Sequence, residues 1–465
     1  MLSLAILEHF RGRGVRPPEE KRITAGKPSR RLPAPDKVYL SLLQHAGTPC
    51  TPTVRKGDRV IRGQVVGEPS GLGAPVHSPI CGRVVAVEPY PHPSGQLVPT
   101  VIIENDGGDS FLPLDRSYLG DTSMPEAMDP AGIRRLALEA GLVGLGGGLF
   151  PTHIKLTPRS DPRPDLLILN GCECEPYLTC DHRLMVEEPH LVLWGARAMR
   201  RALGVNNVVI AIEDNKPDAI ELISHMIREL PGFSLRVLPS RYPQGAERTL
   251  TRTLTGRQVP SCGLPADVGV VVHNVGTAAA LGRALLHSEP LLERIVTVAG
   301  DAVREPGNFW VAIGTPIGEV LRQAGLKEAP VRKVIMGGPM MGLATSSLEL
   351  PILKGCSGLL AFTAEQETLA ESLPCVRCGR CLEVCPQGLA PVRLTQLVAA
   401  GMVTEAATNG LLDCVECGAC AYICPSRRPL VQYLRQGKAE LRRRQAQQPA
   451  GQPTKQPVCR DQVSA

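Results

Sequence analysis

The sequence predicts a multidomain α/β protein, on three observations. At 465 residues the chain is too long for one hydrophobic core. Its middle alternates strand-like and helix-like stretches joined by glycine-rich crossings, the pattern of a parallel sheet with helices on its faces. Its ends depart from that pattern, with apolar alternation and hairpin signals early and two cysteine-dense runs late. Hydrophobic content of 43% and charged content of 21% fit a folded soluble chain. A net charge of +6 suits an acidic protein partner or an anionic membrane surface and makes no case for nucleic acid. No stretch approaches the apolar length of a bilayer span. The start, MLSLAILEHF, meets Glu8 at once and has neither a basic leader nor a small-residue cleavage site, so it is not expected to be a secretory signal. A cytoplasmic setting follows, in which the sixteen cysteines serve as ligands or buried thiols rather than disulfides.

The first element is VRKGDRVIRGQVVGEPSGLGAPVHSPICGRVVAVE, Val54 to Glu88. Apolar alternation and hairpin signals at Gly57-Asp58 and Gly82 recur there in two halves. It resembles the barrel-sandwich hybrid of biotinyl and lipoyl carrier domains. Those carry a modified lysine at a hairpin tip, and the tip here, GEPSGLGAP (Gly67 to Pro75), has none. A structural or docking role is expected instead of a swinging arm.

After a Pro-, Gly- and Asp-rich loop (Gly107 to Pro130) a helix is predicted, with Asp129 as N-cap, Pro130 at its first position and Ile133, Leu136, Ala137 and Ala140 on one face. Gly141 ends it and opens GLVGLGGGLFPTHIKL. Its glycines free the backbone to approach a planar or phosphorylated ligand, and Lys155 offers a charge to an anionic group. Taken alone such a loop is equally a flexible connection. PDLLILN (Pro164 to Asn170) reads as a buried strand, followed by a helix around His190 to Leu203 and a second strand in VNNVVIAIEDN. A parallel sheet of this kind places ligands at its strand ends. At the first strand's end stands NGCECEPYLTCDHR, whose Cys172, Cys174, Cys180 and His182 offer zinc donors or, alternatively, buried thiols.

The last element is the most specific. CVRCGRCLEVCP (Cys375 to Pro386) and CVECGACAYICP (Cys414 to Pro425) each have the C-x2-C-x2-C-x3-C-P spacing of two-cluster ferredoxins. Three cysteines of a tight loop reach three corners of one cubane, and the fourth, starting a helix, faces the other cluster. One [4Fe-4S] cluster is assigned to Cys375, Cys378, Cys381 and Cys424, the other to Cys414, Cys417, Cys420 and Cys385. Small residues Gly379, Gly418 and Ala419 let backbone amides approach the sulfurs. Structural zinc sites use two widely separated C-x2-C pairs, which these complete runs do not match. Clusters in series carry single electrons, so another part of the chain is expected to load them.

GLVGLGGGLFPTHIKL and LNGCECEPYLTCDHRLM resemble the flavin-binding motifs of the NADH-oxidising flavoprotein subunit of respiratory complex I. YPQGAERTL (Tyr242 to Leu250) and HNVGTAAAL (His273 to Leu281) resemble its third and fourth signature segments, in the same order. From LEHFRGRGVRPPEEK to the twin cysteine runs, the chain resembles the C subunits of Rnf-type ion-translocating ferredoxin–NAD oxidoreductases. The resemblance implies that Gly144, Gly146, Lys155 and Asn170 hold FMN, with Asn274 and Thr277 closing its other side. Phe150 matches the aromatic that stacks on the adenine of NAD(H), and Glu173, Glu175 and Glu247 match carboxylates near the flavin and nicotinamide. Where the flavoprotein of complex I has two adjacent glutamates this chain reads Ala246-Glu247, so the dinucleotide contacts do not transfer in detail.

RIVTVAGDAVREPGNFWVAIGTPIGEVLRQAGL (Arg294 to Leu326) resembles the soluble-ligand-binding β-grasp module that follows that flavin domain. The tail from Gln436 is basic and rich in Gln and Pro, and is expected to be disordered. The expected architecture is therefore a barrel-sandwich hybrid with an N-terminal arm at 1–110 and a Rossmann-like FMN/NADH domain at 128–290. A β-grasp module at 294–345, an α-helical two-cluster ferredoxin domain at 365–435 and a tail at 436–465 complete it. The implied function is electron input between NAD(H), FMN and two [4Fe-4S] clusters, peripheral to the cytoplasmic side of the inner membrane. The implied partners are the membrane and soluble subunits of an Rnf-type complex and a ferredoxin or iron–sulfur protein. A soluble flavin/iron–sulfur reductase such as a cobalamin reductase, an iron–sulfur relay without flavin, and a non-catalytic scaffold are the alternatives.

Overall fold

The computed structural model describes residues 13–159, 161–327, 330–364 and 371–446. The apolar start Met1 to Phe10 and the tail beyond residue 446 lie outside them. An arm, residues 13–31, ends in a two-residue strand, β1 (Arg30–Arg31). The first module consists of β2 (Lys37–Ser41), β3 (Thr51–Pro52), β4 (Arg59–Val60), β5 (Val65–Glu68), β6 (Val76–His77), β7 (Gly82–Pro91) and β8 (Leu97–Asn105). They form two sheets, ordered β2-β8-β7-β4 and β3-β5-β6. Alternation places Val38, Val60, Val66, Val76, Val84 and Val101 inside, all fully buried.

The second module begins with α1 (Pro130–Glu139). Asp129 caps it by accepting from the Gly132 amide at 2.5 Å, and Pro130 supplies the first turn. The short α2 (Thr152–Lys155) closes the glycine-rich loop. Then come β9 (Leu166–Gly171), α3 (Cys180–Glu187), α4 (Pro189–Leu203), β10 (Asn207–Glu213), α5 (Pro217–Met226), β11 (Phe233–Leu238), α6 (Glu247–Thr255), β12 (Val270–Asn274) and α7 (Val275–His287). The four strands are all parallel in the order β11-β10-β9-β12, buried in the centre by Leu167, Ile168, Leu169 and Ile210. Helices α4 and α7 cross with almost no side chain between them: a Cβ on Gly195 would stand 1.7 Å from the Ala278 carbonyl, and one on Gly282 2.1 Å from that of Leu191.

The third module is a six-stranded mixed sheet. Its elements are β13 (Glu293–Ala299), β14 (Gly307–Ala312), α8 (Ile317–Gln323), β15 (Val331–Met336), β16 (Leu343–Thr345) and β17 (Gly358–Thr363), in sheet order β1-β14-β13-β17-β15-β16. The unit extends beyond the expected end at residue 345. GLLAFT supplies the strand between β13 and β15, and Arg30–Arg31 adds an edge strand, both by pairings distant in sequence.

The fourth module contains α9 (Arg380–Glu383), α10 (Pro391–Ala399), α11 (Val403–Thr408), α12 (Ala419–Tyr422) and α13 (Leu430–Ala446). The last corrects the expectation of disorder from residue 436: the chain is helical to Ala446. Leu430, Leu434 and Leu441 are buried on one face at helical spacing, a stripe hidden in the sequence by Arg and Gln. Among the described residues no helix is long and apolar enough to cross a membrane.

The modules are tied together by buried groups. Lys354, 1% exposed, donates to the Pro75 carbonyl at 2.7 Å and the Gly141 carbonyl at 2.8 Å, joining the barrel hairpin to the root of the glycine-rich loop. Burial lowers its pKa to about 7. The arm exchanges backbone hydrogen bonds between Val15 and Tyr242 and donates from the Gly14 amide to the Val384 carbonyl at 2.9 Å.

Candidate functional site

The parallel sheet itself points to the site. From β9 the chain passes outward through β10 and β11 and returns as β12 on the other side of β9, so the order reverses between β9 and β12. A crevice at the carboxyl ends of strands forms at such a reversal. Asn170 is the penultimate residue of β9, Asn274 ends β12, and the two are register partners. The Asn274 side chain caps α7 by accepting from the Gly276 amide at 2.7 Å, and its Nδ2 donates to Asp181 at 2.6 Å. Asn170 Nδ2 donates to the Gly245 carbonyl at 2.8 Å.

The glycine-rich loop lies over the same ends. The Leu145 amide donates to the Thr277 hydroxyl at 2.9 Å, which pins the loop to the first turn of α7. A Cβ on Gly146 would come within 3.3 Å of Asn274, and one on Gly148 would meet nothing within 4 Å. Gly144 donates to the Phe150 carbonyl at 2.9 Å, closing the turn. Lys155 reaches Glu247 at 2.5 Å, with both side chains partly exposed. Hydrogen bonds, an ion pair and close contacts thus link the segments carrying Gly144, Gly146, Lys155, Asn170, Glu247, Asn274 and Thr277 near the ends of β9 and β12. A glycine cradle, amide side chains at two strand ends and a lysine suit a planar, phosphorylated ligand such as FMN.

Of the carboxylates, Glu173 lies at this crevice. Its backbone is left-handed (φ 47°), and its carboxylate accepts from the Asp181 amide at 2.7 Å and the His182 amide at 3.3 Å, at the start of α3. Burial, and then the Glu173 charge, push Asp181 up to about 7. Glu175 behaves differently from the expectation. Its carboxylate accepts from the Met340 and Met341 amides at 3.0 and 2.8 Å, in the loop after β15, and burial raises its pKa to about 7. The turn at Glu173 sends it toward the third module rather than the crevice.

That loop also meets the cysteine domain. Met340 and Met341 pack with Cys174, Tyr242 and Cys417, and a Cβ on Gly418 would stand 2.9 Å from the Met340 carbonyl. The fully buried Tyr242 donates to the Cys417 carbonyl at 2.6 Å. Cys385, Cys414, Cys417 and Cys420 line one cavity, all with free thiols. The Glu416 amide points at Cys414 Sγ (3.3 Å) and the Leu389 amide at Cys385 Sγ (3.4 Å). Four unpaired thiols with amide donors around one cavity are a donor set fit for a [4Fe-4S] cluster. Of the other four expected cluster cysteines, Cys375, Cys378, Cys381 and Cys424, Cys378 is exposed, and the Arg377 amide points at Cys375 Sγ (3.4 Å).

The zinc alternative at residues 172–182 does not assemble. Among the described residues, the one group of three or more close metal-type donors there is Glu173, Cys180 and Asp181, without Cys172, Cys174 or His182. His182 instead pairs with Asp218 at 2.6 Å, and burial raises the thiols of Cys172 and Cys180 well above their usual range. Two further residues escaped the sequence reading. Lys21, 7% exposed, donates to the carbonyls of Glu173 and Glu175, both at 2.8 Å, and of Leu178. Lys216, fully buried, donates to the Cys172 carbonyl at 2.6 Å beside Glu213. A lysine in a polar segment carries no local signal that its ammonium will be enclosed by carbonyls.

Comparison with known proteins gives four matching family models. They are the RnfC barrel sandwich hybrid domain over residues 8–108, the Nuo51 FMN-binding domain over 137–283, the SLBB domain over 295–344 and the 4Fe-4S dicluster domain over 369–447. Over 433 residues the chain is 43% identical to the C subunit of the Na(+)-translocating ferredoxin:NAD(+) oxidoreductase complex of Acetobacterium woodii, covering 93% of this chain and 97% of that one. It is 45% identical to the C subunit of the proton-translocating ferredoxin:NAD(+) oxidoreductase complex of Clostridium ljungdahlii, covering 94% and 95%. It is 43% identical to the C subunit of the ion-translocating oxidoreductase complex of Rhodobacter capsulatus, covering 96% and 86%.

Proposed function

This chain belongs to the family of C subunits of ion-translocating oxidoreductase complexes, and we propose that it exchanges electrons between NAD(H) and its partner subunits by way of FMN and two [4Fe-4S] clusters. FMN, when bound, trades a hydride with a nicotinamide and single electrons with iron–sulfur centres. The protein's part is placement. Gly144 and Gly146 admit the ligand to the backbone, Asn170, Asn274 and Thr277 border it, and Lys155 offers a positive charge. Phe150 and Glu247 are assigned to the nicotinamide cofactor. Glu173 is the carboxylate assigned to the crevice, and Glu175 is reassigned to holding the Met340 loop. Cys375, Cys378, Cys381 and Cys424 would hold one cluster, and Cys385, Cys414, Cys417 and Cys420 the other.

The observation that carries this reading is the segment Tyr242–Glu247. At one end its tyrosine reaches the Cys417 carbonyl, and at the other its glutamate reaches Lys155. One stretch of backbone therefore borders both the flavin crevice and a cluster cavity. A soluble reductase is disfavoured by near full-length similarity to members of multi-subunit complexes. Ion movement is assigned to other subunits, and a peripheral position on the cytoplasmic face of the inner membrane fits that division.

Anaerobic preparation should yield FMN and about eight irons per chain, with NADH bleaching both chromophores. Lys155→Glu, which sets a carboxylate against Glu247, is expected to abolish FMN retention and NADH-driven dye reduction while leaving the cluster spectrum intact. Full activity in that variant would overturn the pocket assignment.

A further inference from the structure

The two cysteine sets differ in surroundings. In that of Cys385, Cys414, Cys417 and Cys420 three thiols are buried, and Cys417 packs with Tyr242, Met340 and Met341 of the flavin and β-grasp modules. The set containing Cys378 opens to solvent. Around it are some of the most exposed apolar side chains of the molecule: Val376 at 67%, Leu373 at 56%, Tyr422 at 48% and Leu382 at 45%. They share one lobe, since the Leu373 amide donates to the Ser426 carbonyl, the Ser426 hydroxyl donates to the Pro374 carbonyl, and α9 packs on α12. An apolar group of this kind on a folded surface marks an interaction site.

Its charge is distinctive too. Arg377, Arg380 and Arg427 are exposed, and none has an ion-pair partner among the described residues. Elsewhere exposed arginines are matched, as in Arg59–Asp106, Arg135–Glu139 and Arg257–Asp165, or, among the described residues, stand unpaired at scattered positions such as Arg228 and Arg304, whereas here three lie in one lobe. The exposed carboxylates of the same stretch are Glu371 and Glu383, because Glu416 is buried against Arg435 and Lys438.

We propose that this lobe is the docking face for an acidic iron–sulfur partner, which seats its own cluster edge over Cys378 with Val376, Leu382 and Tyr422 as the apolar contact and Arg377, Arg380 and Arg427 as the rim. The inference rests on the electron-exchange reading above and adds the exit side to it. A small apolar centre with a predominantly basic rim gives fast, salt-sensitive, short-lived contact, as electron delivery requires. An anionic bilayer would also meet the arginines, but it offers no acceptor to an exposed cluster edge, so the redox partner is favoured.

The test uses the intact complex, comparing wild type with Arg380→Glu/Arg427→Glu and, separately, Leu382→Asp. Iron, FMN and NADH bleaching of this protein's own clusters are expected to persist in both variants. Onward reduction of cofactors in the other subunits should slow about tenfold or more, and the wild-type rate should fall steeply with salt while that of the arginine variant does not. Unchanged onward reduction overturns the proposal. So does loss of the chain's own bleaching at normal iron content, which would place this lobe on the flavin side. Weakened binding to vesicles of anionic lipid with unchanged onward reduction assigns the rim to the membrane and likewise overturns it. Wild type that lacks FMN or ignores NADH would instead defeat the electron-exchange reading itself, independently of this face.

Discussion

Glu175 shows how one side chain can be repurposed by a turn two residues before it. Its carboxylate satisfies the Met340 and Met341 amides, yet burial outweighs those hydrogen bonds and lifts its pKa from 4.5 to about 7. The folded protein therefore binds this proton more tightly than the unfolded chain does. Stability from this group is fully present below about pH 4.5 and is lost as pH rises through about 7. Glu175→Gln removes that titration. Its mismatch with one amide is constant with pH, so urea melts from pH 5 to 8 should shift the difference in the variant's favour, by up to about 3 kcal/mol. A pH-independent difference would refute the burial argument. Tyr242 makes a second prediction at this scale. Tyr242→Phe deletes the hydroxyl that donates to the Cys417 carbonyl and should cost about 1 kcal/mol in denaturant melts. It should also shift the midpoint potential of one cluster and leave the other in place, read by redox titration. Among residues, the two cysteine runs of the dicluster domain were legible because their spacing is visible in the sequence itself. Glu175, Lys21 and Tyr242 were not, because their partners lie in distant segments and their side chains are ordinary in composition.

At the scale of elements, the helix pair α4 and α7 sets the thickness of the flavin module. Gly195 and Gly282 let each helix rest on the other's backbone, at positions where a methyl group would stand 1.7 to 2.1 Å from a carbonyl oxygen. Gly195→Ala should cost about 3 kcal/mol or more, since neither backbone can yield without parting the helices. Thermal denaturation checks it, and an unchanged midpoint would contradict the packing. Local signals were enough for α1, whose Asp129-Pro130 start is in the sequence, and for β9 and β10, whose apolar runs are continuous. They failed for β17, a short run placed between β13 and β15 by pairing at long range. They failed again for α13, where the buried stripe of Leu430, Leu434 and Leu441 is diluted by charged neighbours.

Across the whole molecule, the arm at residues 13–31 connects what the four modules leave apart. It meets the cysteine domain at Val384, the flavin module at Tyr242, and the β-grasp sheet at Phe309 and Trp310. Its Lys21 fills the loop from Glu173 to Leu178 with one ammonium against three carbonyls, and burial lowers that ammonium's pKa. Lys21→Met should leave those carbonyls without a donor, cost about 2 to 3 kcal/mol, and expose the arm to limited proteolysis. Retained protease resistance at wild-type stability would show that the arm is held elsewhere. The modular plan was legible in the sequence, because each module has its own period and motif. The arm's role was not, because a segment that folds against everything carries the pattern of nothing in particular.

That arm has a consequence for assembly. Synthesis runs from the amino end, so residues 13–31 leave the ribosome long before Tyr242, Trp310 and Val384 exist to receive them. The arm thus cannot take its full set of contacts until the segments carrying Tyr242, Trp310 and Val384 have been made, like a latch that waits for the compartments it crosses. Before those partners exist, the carbonyls of Glu173, Glu175 and Leu178 can be met by Lys21 only from an arm still untethered at Tyr242, Trp310 and Val384.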